Sequence, residues 1–154
     1  METIFHGAAS TGFGETIRNS QYLFPLVESI HLLGLAFLLG SILIFNARFF
    51  GVGMTRQTVA EVAGDFSPWT RRALYVMAAT GVPLFFAKAG DLYDAELPAF
   101  LIKMSLIALG VVWHFTVQLR LARAGSMAWG RVAAAAALCM WFGAAVAGLT
   151  LEFL

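Results

Sequence analysis

Apolar and polar positions alternate along this chain in long blocks, on a scale far above the two-residue period of a half-buried strand. Four blocks, at about residues 22–47, 68–89, 98–119 and 129–151, are almost wholly apolar. Each supplies the roughly 20 residues that a helix needs to cross a hydrocarbon core about 30 Å thick. The pattern predicts an all-α protein: a four-transmembrane-helix bundle forming a single membrane domain over residues 1–154, with no separate soluble domain.

Local signals mark the ends of these spans. Asn19 or Ser20 is placed to cap the first, Pro25 lies near enough to its start to be tolerated, and Arg48 closes it. Ser67 followed by Pro68 reads as the start of the second, because proline at the first helical position loses no useful N–H. Pro83 predicts a kink inside that span, with Thr80 available to bond a nearby carbonyl. The stretch Thr58–Phe66 reads as a short helix lying on the membrane surface. In the Ala/Gly-rich fourth span, Ala144 and Gly148 form a small-xxx-small pair that admits a close neighbour.

Composition narrows the class further. Hydrophobic residues make up 60% of the chain and charged residues 12%, against about 25% charged in soluble domains. The net charge of +1 offers no basic surface for nucleic acid. Cys139 is the one cysteine, which excludes an intramolecular disulfide and any multi-cysteine metal site. The amino terminus lacks the basic start and long apolar run of a cleavable signal, so the first span is expected to direct insertion itself. Arg48, Arg56, Arg71, Arg72, Arg120, Arg123 and Arg131 flank the first and third loops, which places those loops in the cytoplasm and both termini outside. The expected location is a bacterial inner membrane.

Ionisable groups inside hydrocarbon are costly, so those within the spans are the best functional signal. Glu28 and His31 lie on the first span, Lys103 and His114 on the third. At 100° per residue Glu28, His31, Leu35, Ile42 and Asn46 share one stripe, as do Lys103, Ile107, Gly110 and His114. Both stripes are expected to face the bundle interior. Helical rise puts Glu28, His31 and Lys103 in one layer toward the outer side, and His114 about 14 Å from His31 along the membrane normal. A Glu28–Lys103 ion pair would account for both buried charges. Taken singly, either histidine is ordinary helix-packing polarity and Lys103 can extend to the interface; two histidines on facing stripes favour a ligand site.

The segments IHLLGLAFLLGSILIFNARFF and FLIKMSLIALGVVWH, separated by a proline-containing span, resemble an uncharacterised family of small four-helix bacterial inner-membrane proteins. More distantly the pattern is similar to the superfamily of HemJ-type protoporphyrinogen oxidases and CopD-type copper-resistance membrane domains. His31 matches a first-helix histidine there, and Lys103 and His114 match the third-helix Lys and His of the HemJ-type pattern. That resemblance implies a haem b protein acting on a porphyrinogen. After His31 this chain has FNARFFGVG where the HemJ-type pattern has an aromatic and basic run leading to a further histidine.

The expectation is therefore a membrane haem b redox protein that exchanges electrons with a quinone or another membrane redox protein. His31 is the first axial ligand, with His114 the second by chemistry and Lys103 the alternative by depth. Glu28 balances charge or carries protons with Lys103, and Gly110 leaves room for a flat macrocycle. Two other readings stand beside it. One is a copper-handling protein with His31 and His114 as metal ligands; the other is a cofactor-free accessory subunit. Homo-oligomerisation is compatible with each.

Overall fold

A computed structural model describes the backbone of residues 1–94 and 96–153, and side chains as far as Gly148. The described residues are helical with no strand: α1 (Glu2–Ala9), α2 (Gly12–Asn19), α3 (Leu23–Phe49), α4 (Val59–Asp94), α5 (Leu97–Trp113), a π-helical turn (His114–Gln118), α6 (Leu119–Arg123) and α7 (Met127–Phe153). Four helical stretches are long and apolar enough to span a membrane: Leu23–Phe49, Val59–Asp94, Leu97–Arg123 and Met127–Gly148. The protein is a membrane protein with a four-helix core. Side chains of the fourth span beyond Gly148, including its expected end near Leu151, lie outside the described residues.

The helices close a ring in the order α3, α4, α5, α7. The long contacts run along α3–α4 and α5–α7, whereas α3 and α5 share no extended contact and lie diagonally. The stripes on the first and third spans therefore belong to diagonal helices, which meet across the core only through side chains such as Asn46 and Gln118 rather than by packing along their length.

Three buried clusters fill the bundle from end to end. Phe45, Phe49, Val62, Leu119, Ala122 and Ala134 pack at the arginine-rich end. Leu38, Ile42, Ala73, Ala137 and Trp141 fill the middle. Phe5, Ala89 and Leu92, with Phe85, Tyr93 and Phe100 against them, close the other end, where α1 docks. At the arginine-rich end Gly130 is required by closeness, because an added Cβ would overlap the Phe49 ring. At the opposite end Gly14 of α2 does the same against the Phe86 carbonyl, where a Cβ would come within 2.6 Å.

Helix boundaries show where side chains outvote simple punctuation. The residue that caps α3 is Tyr22 rather than Asn19 or Ser20, although Ser20 Oγ still accepts a hydrogen bond from Leu23 N at 3.1 Å. The second span does not begin at Ser67–Pro68. It begins at Val59, because Thr58 and Glu61 form a reciprocal capping box: Thr58 N donates to Glu61 Oε2 at 2.6 Å and Glu61 N donates to Thr58 Oγ1 at 3.2 Å. Ser67 caps nothing; its hydroxyl donates to the Ala63 carbonyl within a continuous helix. Thr58–Phe66 is thus the cap and opening turns of α4 rather than a separate surface helix.

Candidate functional site

The polar groups form two layers, and the packing fixes their relative depth. Trp141 belongs to the same cluster as Leu38 and Ala73, and its indole lies where a Cβ on Gly110 would come within 3.0 Å. This sets one level through all four main helices. Moving seven residues toward the α1/α2 end on each helix reaches His31 from Leu38, Thr80 from Ala73, Lys103 from Gly110 and Gly148 from Trp141. At about 1.5 Å per residue that is a second level roughly 10 Å away.

Contacts confirm that second level pairwise. His31 Nδ1 lies 2.7 Å from Thr80 Oγ1, and Lys103 Nζ lies 3.3 Å from the point a Cβ on Gly148 would occupy. Thr80 Oγ1 also donates to the Val76 carbonyl at 2.7 Å, so it accepts from His31 Nδ1–H. A neutral His31 then carries its lone pair on Nε2. The ring rests against Gly81, where a Cβ would sit 3.4 Å from His31 Cε1. His31 itself is half-buried.

Glu28, one helical turn before His31, does not pair with Lys103. Its carboxylate lies 4.0 Å from Lys88 Nζ on α4, with both side chains about one-third exposed. The reason is the ring order: α4 is the neighbour of α3, while Lys103 on α5 is turned toward α7. Lys88 also sits over the Phe24 ring, 5.4 Å from its centroid.

The second polar layer is at the arginine-rich end and is fully buried. His114 is 1% exposed and Gln118 and Asn46 are 0% exposed, so no water reaches them from outside. Their hydrogen bonds run in one direction. Asn46 Nδ2 donates to the Ile42 carbonyl at 2.7 Å, and Gln118 Nε2 donates to Asn46 Oδ1. Gln118 Oε1 is then the acceptor for His114 Nδ1–H at 3.1 Å. His114 Nε2 is left with the lone pair and with no hydrogen-bond partner among the described residues. Phe45 and Phe115 meet the imidazole edge-on, with centroids at 5.3 Å and 4.9 Å. The π-helical turn starts at His114 and ends at Gln118, and such turns gather at functional positions in helices.

These placements revise the expected constellation. His31 and Lys103 share a depth, but His114 does not join them. His114 packs on Phe45, fourteen residues beyond His31 on α3, which is about 21 Å of helix rise. Leu38, Ile42 and Trp141 fill the interval. One iron cannot take both imidazoles. Gly110 offers no slot for a macrocycle, since Trp141 occupies that space. Among the described residues no group of three or more His, Cys, Asp and Glu side chains is gathered in metal-binding geometry.

Gln118 and Lys88 are site residues that the stripe reasoning passed over. Gln118 was within reach, because it lies four residues after His114 and such pairs meet on a helix surface. Lys88 required knowing that α4 borders α3.

No curated protein and no solved structure matches the chain. The family model described as "Family of unknown function (DUF6644)" matches residues 2–154, so the chain belongs to that family.

Proposed function

We propose that the protein is an inner-membrane redox protein that binds haem b in the layer nearer α1 and α2, with His31 as an axial ligand. The observation that carries this reading is the Thr80 hydroxyl at 2.7 Å from His31 Nδ1. An outer partner of this kind fixes the ring orientation and leaves Nε2 as the ligating nitrogen, the arrangement found around metal-bound histidines. Lys103, at the same depth, is the candidate for the second coordination position, and Gly81 and Gly148 keep side-chain bulk away from the two residues. The similarity to the HemJ-type pattern at His31 and Lys103 supports the same pair. A two-histidine site does not fit, for the reasons of depth given above.

Haem would supply one-electron chemistry toward a lipophilic partner such as a quinone. The protein's own residues would supply a dry bundle interior and a charge pair, Glu28–Lys88, about one-third exposed and close to the His31 layer. The arginine distribution supports a cytoplasmic location for the first and third loops and outward-facing termini.

A second reading has a specific observation in its favour. The middle of the bundle is filled by Trp141, Leu38 and Ile42, and Glu28 already has a cationic partner, as in a cofactor-free accessory subunit. An absorption spectrum of protein purified from haem-replete cells separates the two. A Soret band that is lost in His31→Ala supports the haem reading. No Soret band, together with no uptake of added haem, replaces it with the accessory-subunit reading.

A further inference from the structure

We infer that the cleft between the end of α3, the start of α4 and α6 is a binding site for the phosphate of an anionic phospholipid. The cleft has a volume of about 400 Å³, and Arg48 and Arg123 are among the residues that line it. Val59, Ala122 and Met127 form apolar parts of its lining, and Val59 and Ala122 are buried. No carboxylate lines it.

The arginines at this end form no ion pair among the described residues. Two ion pairs occur among the described residues, His6–Asp94 and Lys88–Glu28, and neither involves an arginine. The nearby acids hydrogen-bond neutral groups rather than the arginines: Glu61 accepts from Thr58 N and Oγ1, and Asp65 accepts from Gln57 Nε2 at 2.9 Å. Arg48 Nε donates to the Gln57 carbonyl at 2.7 Å, which holds the guanidinium by a bond that does not use its two terminal nitrogens. Two guanidinium groups above an apolar floor, at the end of a membrane bundle, match an occupant with a phosphate oxygen pair and a hydrocarbon chain. Guanidinium recognises phosphate through paired N–H donors, and basic pockets between transmembrane helices take anionic headgroups. Free phosphate shares the charge chemistry but makes no use of the floor.

The full-length protein in a neutral detergent, titrated with phosphatidylglycerol or phosphatidylcholine and read by native mass spectrometry, tests this. Phosphatidylglycerol should be retained about tenfold more strongly, equivalent to roughly 1.4 kcal/mol. Arg123→Gln, at an exposed position, should remove most of that preference, and Arg48→Gln combined with it should remove the rest. The control pair Arg56→Gln with Arg120→Gln removes the same charge outside the cleft and should leave the preference within about twofold, well under 1 kcal/mol. Equal retention of the two lipids overturns the proposal, and so does an equal loss in the control pair, which would mean diffuse surface attraction. Displacement of phosphatidylglycerol by millimolar inorganic phosphate overturns the lipid assignment in favour of a free anion. Arg123→Gln decides the matter even where loss of the Arg48–Gln57 bond disturbs folding.

Discussion

The two histidines stand in opposite circumstances. His31 is half-buried, in contact with the Thr80 hydroxyl of the adjacent helix α4, and lies at the depth of Lys103 with glycines opposite both. His114 is enclosed, held by an amide chain that ends on a backbone carbonyl of α3, and wedged between two phenylalanine edges. The same residue type therefore does two jobs. A histidine oriented by the Thr80 hydroxyl and resting on Gly81 is the one the haem proposal uses as a ligand. A histidine at the head of a buried relay ties α3 to the third span across the diagonal of the bundle, where the helices themselves do not pack. The haem proposal draws on the first layer, and the hydrogen-bonded cohesion lies in the second.

The sharpest break in this comparison is the pair His31→Ala and His114→Ala, assayed by the absorption spectrum of haem-loaded protein. His31→Ala should abolish low-spin haem absorption, because the ligating nitrogen is gone. His114→Ala should leave the spectrum unchanged, since it lies eleven residues, about 16 Å of helix rise, beyond Lys103 at the His31 level. Loss of the spectrum in both variants would bring the two layers together and end the division of labour.

Next in size is Thr80→Val, which keeps the shape of the side chain and deletes its hydroxyl. Without that partner His31 can rotate and exchange tautomers, and loss of such an outer hydrogen bond typically costs about 10- to 100-fold in affinity. Haem affinity measured by titration should fall by that order while thermal stability in detergent changes little. An unchanged affinity would mean that Thr80 packs against His31 without orienting it.

Much of this arrangement was legible in the residues, and the parts that were not share a cause. Block hydropathy is a property of each segment, so the four spans could be read directly. The polar stripes of α3 and α5 were also real, since Ile42, Asn46, Gly110 and His114 are buried. Depth along a helix is likewise a one-dimensional quantity, and it correctly grouped His31 with Lys103 and separated His114. Which helix borders which is a two-dimensional fact with no marker in a single chain. That is why the stripes pair Glu28 with Lys103 instead of Lys88, and why they give the space beside Gly110 to a macrocycle although Trp141 fills it. The start of α4 was missed for a different reason: Pro68 is a strong textual signal, yet nine residues of helix precede it because the Thr58–Glu61 box nucleates earlier.

The cohesive role assigned to the His114 layer is tested by Gln118→Leu. The substitution preserves volume but leaves His114 Nδ1–H and Asn46 Oδ1 without partners in a dry interior. Hydrogen bonds between membrane helices average less than 1 kcal/mol, but orphaning buried groups adds a desolvation penalty, so a loss of about 1–3 kcal/mol is expected in detergent unfolding. Haem absorption should persist. A variant as stable as the parent would show that the relay is incidental to holding α3 against the third span.

The smallest expected effect belongs to Gly110→Ala, at the level between the two layers. If the absent side chain served a macrocycle, a methyl there would weaken haem binding and leave the empty bundle as stable as before. In the structure the space belongs to Trp141, whose ring atoms would lie 3.0 to 3.3 Å from the new Cβ. The indole must give by a few tenths of an ångström within a cluster that also holds Leu38 and Ile42, and overpacking of this kind costs about 1 kcal/mol at the low end of its range. Gly110→Ala should therefore lower unfolding stability slightly while haem affinity stays where it was. Trp141→Phe in the same background should restore part of the loss, because a smaller ring relieves the contact. A fall in haem affinity without a fall in stability would move the macrocycle into the middle of the bundle and join the two histidine layers through it.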